Sequence, residues 1–414
     1  MTRMKDSGNP WIREIPGDWF EKKLRYLVEL RGEKSVTTDY KKYVGLENIM
    51  SQTGQYVQTG IEVDLTENLT FEVGDILFGK LRPYLRKYWR AEFSGTASSE
   101  FVIIKGSSLN LNFLFWAIQS DSFINDVDSS TYGSKMPRAS WEYMKNIKLP
   151  FPESIEEQSK IADFLDKKVA QLDKVKNLLE EQIKTLEDYR QSLIYETVTK
   201  GLDKTVPLRD SGVDWIGQIP EGWGVGKLSQ FFGEVKKKNV RNFEKNLLSL
   251  SYGRVIRKSI ENLIGLLPES FETYNVIDEN DIVFRLTDLQ NDKKSLRTGL
   301  SKERGIITSA YITIRTTNNF INANYFNHLF YAYDLCKVYY NFGGGVRQGG
   351  TWGDLSVLRI LIPPIMEQIQ IADFLDKKTE QINQMIAIKK EQIENINKRR
   401  QTLIYDYVTG KRRV

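Results

Sequence analysis

The sequence predicts a mixed α/β protein with two globular domains joined by two long antiparallel coiled-coil helices. Three observations support this prediction: 414 residues exceed one ordinary domain, the two halves repeat one framework, and each half ends in apolar residues at heptad spacing. We place the first domain at residues 1–150 and the first long helix at 151–200. A linker and the second domain follow at 201–363, and the second long helix with a tail at 364–414.

Two blocks of the first half recur in the second half. Asp6-Ser7-Gly8 recurs as Asp210-Ser211-Gly212, and ten identities keep this ungapped offset of 204 residues. The segment 161–168 recurs at 371–378, an offset of 210 residues. Between these blocks the halves diverge almost completely. Because solenoid repeats have periods of roughly 20 to 50 residues, this period indicates two homologous halves with a common frame and different content.

Each half closes with a predicted coiled-coil helix of about 43 residues, or roughly 64 Å. Apolar residues at seven-residue spacing form the expected pairing rows, which are Leu165, Leu172, Leu179, Leu186 and Leu193 in the first helix, and Leu375, Ile382, Ile396 and Leu403 in the second. Packing of each helix on its own domain is the alternative, but the matched rows favour pairing of the two helices. Antiparallel pairing would place the two domains at opposite ends of a rod.

Other residues are expected to interleave with these rows or to interrupt them. The interleaving residues are Ile161, Val175 and Tyr189 in the first helix and Ile371 and Met385 in the second. The interrupting residues are Gln182, Lys389 and Gln392. A polar side chain in such a row can fix the helix register at some cost in stability.

The segments between the repeated blocks are rich in aromatic and β-branched residues and contain turn signals, which favours short strands. Short helices are expected at residues 112–122 and 323–333. A Gly74-Asp75 turn should begin a strand at Ile76 in the first domain, and Asn280-Asp281 is its counterpart in the second.

Basic residues follow these strands and recur near the end of each domain. In the first domain they are Lys80, Arg82, Arg86 and Lys87, then Lys135 and Arg138; in the second they are Arg285, then Arg347 together with Gln348. Arg and Lys can pair with guanine, Gln with adenine, and all can bind phosphates. We therefore expect contacts with DNA, although any single one of these side chains can instead be a solvated surface group.

The sequence contains no recognisable catalytic or metal-binding signature. Cys336 and His328 are the only residues of their types, which excludes a disulfide framework and a Cys/His zinc site and fits a reducing, cytoplasmic setting. His328 is expected to be a packed residue within a helix. The glycines near Gly343 are not followed by Gly-Lys-Ser/Thr, so nucleotide hydrolysis is unsupported. We also expect no export signal and no membrane span.

The formal net charge is +5, which is small for a chain of this length. A surface that binds a polyanion must therefore come from local clusters of Lys and Arg.

The whole chain resembles the specificity subunits of type I restriction-modification enzymes. In both halves a Pro is followed by Glu-Gln, at Glu157-Gln158 and Glu367-Gln368, and then by Ile-Ala-x-Phe-Leu-Asp. Three stretches of the first half also resemble the target-recognition domains of that family, namely residues 43–49, 79–85 and 133–138.

The resemblance implies that each divergent domain reads one half of a split DNA target while the long helices fix the gap. It also implies a non-catalytic chain without a cofactor of its own. Its partners would be two modification subunits, which bind adenosylmethionine and grip the helices, and restriction subunits, which use ATP and Mg²⁺. The alternatives are a coiled-coil scaffold whose variable domains bind proteins, and an enzyme whose nuclease or methylase motifs have diverged.

Overall fold

The computed structural model describes residues 3–36, 42–59, 67–133, 136–258, 270–289, 292, 295–343 and 349–414. The chain divides into two compact units, of which the first comprises residues 1–180 and 390–414 and the second residues 181–389. Both boundaries fall within the long helices. Each unit therefore contains one globular domain and a segment of each long helix.

The first unit combines short strands with three short helices. Its strands are β1 (Met4–Asp6), β2 (Glu14–Pro16), β3 (Trp19–Lys23), β4 (Val28–Leu30), β5 (Lys34–Val36), β6 (Tyr43–Val44), β7 (Glu67–Phe71), β8 (Ile76–Gly79), β9 (Tyr88–Arg90), β10 (Gly95–Ala97), β11 (Phe101–Ser107) and β12 (Lys148–Pro152). Its short helices are α1 (Leu111–Ala117), α2 (Asp121–Ser129) and α3 (Trp141–Met144), and the long helix α4 (Ile155–Lys200) begins in this unit.

Two four-stranded sheets form the centre of the first unit. Their strand orders are β5-β7-β10-β6 and β4-β11-β8-β9, and β12 pairs with β3 beside them. Strand β8 is buried along its whole length, and it begins directly after the predicted Gly-Asp turn. The helix predicted at residues 112–122 is two helices, because the Ser120 hydroxyl accepts a hydrogen bond from Phe123 N at 3.3 Å and starts α2 separately.

The second unit repeats this plan. Its strands are β13 (Leu208–Asp210), β14 (Gln218–Pro220), β15 (Gly224–Lys227), β16 (Phe232–Glu234), β17 (Leu248–Ser251), β18 (Arg254–Arg257), β19 (Asn275–Ile277), β20 (Ile282–Phe284), β21 (Thr298–Leu300), β22 (Gly305–Ile307), β23 (Ile312–Thr316) and β24 (Arg359–Ile362). Its helices are α5 (Ala323–Leu335) and α6 (Trp352–Ser356), and the long helix α7 (Ile365–Val408) begins in it.

The sheet β16-β23-β20-β21 of the second unit corresponds to β4-β11-β8-β9 of the first, and the pair β15-β24 corresponds to β3-β12. In both units a buried carboxylate closes the turn before the central strand. Asp75 accepts a hydrogen bond from Arg31 Nε at 2.6 Å, and Asp281 accepts one from Arg315 Nε at 2.6 Å. The hydrogen bond to Asp281 raises the pKa of Arg315. The aspartate is thus common to both units, but its arginine partner comes from before the turn in the first unit and from after it in the second.

The long helices pair within each unit. In the first unit Arg400 lies 3.7 Å from Asp173, so the end of α7 packs along the start of α4. In the second unit Arg190 donates to Asn383, so the end of α4 packs along the start of α7. The helices therefore run antiparallel, as the sequence predicts. Arg400 and Asp173 are the repeat equivalents of Arg190 and Asn383 at the offset of 210 residues, so both units use one cross-helix contact.

The residues of the predicted pairing row are buried or half-buried, whereas three residues of the predicted interleaving row are exposed. Leu165 and Leu375 are fully buried, and Ile382 is 5% exposed. The other row residues are half-buried, namely Leu172, Leu179, Leu186, Leu193, Ile396 and Leu403. Ile161 and Ile371 are buried as expected, whereas Val175, Tyr189 and Met385 are exposed, so their assignment to the seam was wrong.

The true interleaving row follows each leucine by four residues and includes Val169, Lys176 and Ile183. Lys176 occupies its seam position with its aliphatic stem, since its side chain is 20% exposed and its Nζ reaches Glu180 at 3.8 Å. The sequence pattern favoured the neighbouring apolar Val175 over this lysine. Gln182, which the sequence analysis placed in the seam, is likewise exposed, and Ile183 occupies that seam position instead.

A buried glutamine attaches each long helix to the globular domain that precedes it. In the first unit Gln158 Oε1 accepts from Asn110 N at 2.8 Å and its Nε2 donates to Pro152 O at 2.9 Å. In the second unit Gln368 Oε1 accepts from Asn322 N at 2.9 Å and its Nε2 donates to Pro363 O at 2.8 Å. The repeated Glu-Gln motif thus has a structural cause, because its Gln satisfies buried backbone groups on two elements.

Among the described residues, no helix combines the length and the apolar character that crossing a membrane requires.

Candidate nucleic-acid interface

The two predicted basic loops of the first domain lie side by side. Arg82 N donates to Pro137 O at 2.7 Å, and Ala139 N donates to Lys80 O at 2.9 Å. We call this pair of segments, residues 80–86 with 132–133 and 136–139, the first loop crossing. The fold thus brings together cations that lie more than fifty residues apart in the sequence. Lys135, which was also predicted to contact DNA, lies outside the described residues.

The first loop crossing presents cations beside exposed aromatic rings. Arg138 is 44% exposed and forms a two-pronged ion pair with Glu100, with Nε–Oε2 at 3.0 Å and Nη2–Oε1 at 2.5 Å. Lys80 is half-buried, and this burial lowers the pKa of its ammonium group although Glu100 acts in the opposite direction. Tyr84 and Tyr132 are 49% and 63% exposed. Guanidinium donors next to such rings have the chemistry to contact phosphates and base edges.

Arg86 and Lys87 direct their donors into the first unit. Arg86 pairs with Asp121 and donates to Gln119 O at 3.3 Å and to Gln401 Oε1 at 3.2 Å. Lys87 Nζ donates to the backbone carbonyls of Leu46 at 2.6 Å and Ile49 at 2.9 Å, and burial lowers its pKa. These contacts join the loop that carries Arg86 and Lys87 to α2, to α7 and to the segment 46–49. A role of either side chain in DNA binding stays a prediction.

The second unit has the same backbone crossing with different side chains. Gly350 N donates to Leu286 O at 2.8 Å, as Ala139 N does to Lys80 O. We call residues 285–289 with 343 and 349–350 the second loop crossing. Asp288 has φ of 55° where Arg82 has φ of 51°, so a left-handed residue marks the same position in both units.

Arg285 is a described cation of the second loop crossing, and its Nη2 lies 3.5 Å from Asp292 Oδ2. Its side chain is 33% exposed, so part of it stays open to solvent. Arg347 and Gln348, which were predicted to contact DNA, lie outside the described residues.

A buried arginine that the sequence analysis missed organises the second loop crossing. Arg297 is fully buried, and its Nη1 donates to Thr287 O at 2.8 Å and its Nη2 to Asp288 O at 3.4 Å. Its backbone N donates to Asp334 Oδ2 at 2.7 Å, and burial raises the pKa of that carboxyl group. No sequence signal marks Arg297, because the carbonyls that it binds are brought to it by the fold.

His328 lies inside α5 and is 8% exposed, as predicted for a packed histidine. Its Nε2 lies 2.8 Å from Asp376 Oδ1 of α7. In the first unit the equivalent carboxylate, Asp166, accepts a hydrogen bond from Trp116 Nε1 at 2.8 Å. His328 therefore connects α5 to the long helix. Among the described residues, no group of three or more His, Cys, Asp or Glu has the geometry of a metal site.

The family model for the type I restriction modification DNA specificity domain matches this chain twice, at residues 16–187 and 220–396. The chain therefore belongs to that family. The two matches coincide with the two halves of the internal repeat.

Curated relatives align along most of the chain. A putative type I restriction enzyme MjaX specificity subunit from Methanocaldococcus jannaschii is 26% identical, over 97% of this chain and 96% of its own. The type I restriction enzyme MjaVIII specificity subunit from the same organism is 23% identical, over 97% and 94%. The type I restriction enzyme EcoDI specificity subunit from Escherichia coli is 23% identical over 46% of this chain and 44% of its own.

Solved structures show the same fold. A chain from a study of complex assembly and conformational transition of the type I R-M system superposes with a TM-score of 0.68 at 18% identity, covering 96% of this chain and 99% of that one. The HsdS subunit from Thermoanaerobacter tengcongensis superposes with a TM-score of 0.51 at 18% identity, covering 96% and 98%. The mixed α/β fold with two repeated domains and long helices is thus that of these proteins.

Proposed function

We propose that this chain is the specificity subunit of a type I restriction-modification complex and binds duplex DNA sequence-specifically. The domain at 1–150 reads one half of a bipartite target, and the domain within 201–363 reads the other. The observation that carries this proposal is that each unit has a loop crossing at the equivalent place of a common frame, and that the side chains of the two crossings differ. Two readers of unlike sequences require this combination of a common frame and divergent surfaces.

The proposed DNA contacts are those predicted from the sequence. They are Lys80, Arg82, Arg86, Lys87, Lys135 and Arg138 for the first half-site and Arg285, Arg347 and Gln348 for the second. Lys80, Arg82 and Arg138 have the strongest support, because the first loop crossing collects them beside exposed tyrosines.

The long helices set the gap between the half-sites in this proposal. The cross-helix contacts within each unit support this part of the proposal, because a fixed gap requires the two helices to pair. The helices also offer polar outer faces to two modification subunits, and restriction subunits complete the complex. The partner subunits bind adenosylmethionine, ATP and Mg²⁺, and this chain is itself non-catalytic. The complex works in the cytoplasm.

The first test is the selection of bound duplexes from a random DNA pool by the full chain at several salt concentrations. The proposal predicts a bipartite motif and an affinity that falls steeply with salt, since phosphate contacts release counterions. A flat salt response without an enriched motif would instead support a protein scaffold. Methylation or cleavage of plasmid by the purified chain alone, with adenosylmethionine, ATP and Mg²⁺ added, would contradict a non-catalytic role.

A second test measures the gap directly. Adding one helical turn to both long helices should lengthen the preferred gap by about one or two base pairs, because a turn is roughly 5.4 Å long. The two half-sites should stay the same. An unchanged gap would show that the helices do not set it.

A further inference from the structure

The second unit contains an exposed hairpin that the predicted DNA contacts do not include. Strands β17 and β18 pair in antiparallel register from Leu248↔Arg257 to Ser251↔Arg254, and Tyr252 and Gly253 form the turn. Both turn residues have positive φ, 47° and 75°, as in the tight type I′ turn that suits a twisted ribbon. Tyrosine is uncommon in this left-handed region, where Asn, Asp and Gly are favoured.

The two faces of the hairpin differ in chemistry. Leu248 and Leu250 are buried at 2% and 6% exposure, and this face packs on the unit. The opposite face carries the cross-strand pairs Ser249↔Ile256 and Ser251↔Arg254. Arg254 is exposed, and among the described residues no carboxylate lies within ion-pair distance of it. The exposed face of the hairpin thus carries one cation, Arg254, beside two serines and Ile256, which is 43% exposed.

The hairpin packs closely against its own unit near the turn. A Cβ on Gly253 would lie 2.9 Å from Leu296 Cδ1, and one on Gly299 would lie 2.5 Å from Leu250 Cδ1, so the ribbon approaches β21 closely. Tyr252 at the tip is nevertheless 88% exposed. The ribbon therefore packs closely on β21 while Tyr252, its one aromatic residue, stands in solvent.

The tip lies next to the second loop crossing. Leu296, which Gly253 approaches, directly precedes Arg297, and the guanidinium of Arg297 donates to Thr287 O at 2.8 Å within that crossing. In the first unit a turn also reaches the loop crossing, since Gln52 N donates to Arg86 O at 3.0 Å. The Tyr-Gly-Arg sequence of the hairpin turn occurs in the second unit and not at Gln52.

We propose that the hairpin β17–β18 enters the major groove of the second half-site and that Arg254 reads a guanine edge there. This inference rests on the proposed function and names the element by which the second domain performs it. A two-stranded ribbon fits the width of the major groove, and an Arg fork matches the O6 and N7 acceptors of guanine. Tyr252, at the leading end, packs against the DNA beside that base.

The test is motif selection from a random duplex pool by the full chain and by the variants Arg254→Ala and Arg254→Lys. Both variants should lose roughly tenfold to hundredfold discrimination at one base of one half-site and keep the other half-site unchanged. Arg254→Lys should keep most of the overall affinity, because it retains the charge but not the fork. Arg257→Ala is the matched control, since Arg257 lies on the same strand and is paired with Glu303.

The outcomes separate this inference from the proposed function. If the wild type enriches a bipartite motif and Arg254→Ala enriches the same motif with equal sharpness, the hairpin inference fails and the proposed function stands. A uniform loss of affinity with a shallower salt dependence would show a phosphate contact and also overturn base reading. A wild type that enriches no motif would remove the proposed function itself.

Discussion

The two loop crossings share a backbone and differ in charge. In the first, Lys80, Arg82 and Arg138 gather around the hydrogen bond from Ala139 N to Lys80 O. At the corresponding bond of the second, the acceptor residue is Leu286, and the left-handed position holds Asp288. One backbone hydrogen bond therefore joins the two segments in both crossings, while the side chains around it differ.

The frame around the crossings shows the opposite behaviour. Gln158 and Gln368, Asp75 and Asp281, and the cross-helix contacts of Arg190 and Arg400 recur in both units with similar partners. The two glutamines, the two aspartates and Arg400 are buried, so losing a partner leaves a polar group unsatisfied. Exposed groups carry no such cost. The comparison shows that burial keeps the frame common and that exposure allows the reading surface to vary.

The largest expected effect tests the common frame. Gln368→Ala removes hydrogen bonds to Asn322 N, Pro363 O and Phe320 O, the last at 3.0 Å, and should cost about 2–4 kcal/mol in the free energy of unfolding. Gln158→Ala should cost a similar amount in the first unit. Urea unfolding gives the size of the loss, and hydrogen exchange assigns it to a unit.

Gln392→Ala is the control for these two variants, because Gln392 is exposed on α7. Gln392→Ala should lower the free energy of unfolding by less than about 0.5 kcal/mol. Equal effects of all three substitutions would show that the repeated glutamines do not support the frame.

The next effect tests the difference between the crossings. Arg82→Ala should weaken binding of duplex DNA about tenfold and lower the salt slope by about one, if Arg82 contacts a phosphate. Asp288→Arg should strengthen binding, because it places the cation of the first crossing at the same left-handed position of the second. Arg90→Ala, an equal loss of charge on the exposed end of β9, should leave the affinity nearly unchanged. Binding titrations at several salt concentrations would check all three.

The smallest effect concerns the equivalent carboxylates of the long helices. Burial acts to raise the pKa of Asp376, but the hydrogen bond and the charge of His328 outweigh it, so this pKa lies below the ordinary 3.8. The ionised Asp376 therefore stabilises the second unit fully above about pH 3.8, and this contribution is lost as the pH falls through the lower folded-state pKa.

Asp376→Asn should accordingly lower stability at pH 6 by less than about 1 kcal/mol, since the side chain is half-exposed. The difference from wild type should shrink towards pH 3 in denaturant titrations. Asp166→Asn offers the comparison, because Asp166 is the equivalent carboxylate of the first unit and accepts its hydrogen bond from the uncharged indole of Trp116. If the stability difference between wild type and Asp376→Asn grew on acidification, the stabilising role of ionised Asp376 would be contradicted.

The sequence by itself determined the two repeated domains and the two long antiparallel helices. These features are written in local periodicity and in repetition, which can be read without knowing what any residue touches. It also placed the strands after Asp75 and Asp281 and the helix around His328. It misplaced Val175, Tyr189 and Met385, because a lysine stem can occupy a seam position that a polarity pattern assigns to a neighbour.

Only the tertiary structure decided how individual cations are used. Sequence order placed Arg86 and Lys87 in one basic cluster with Lys80 and Arg82. The fold instead pairs Arg86 with Asp121, and it directs Lys87 to the carbonyls of Leu46 and Ile49. It also turned Tyr252 and Arg254 outward on a hairpin that no motif marked. The physical reason is that the partner of a polar side chain is chosen by long-range packing, which local sequence does not encode.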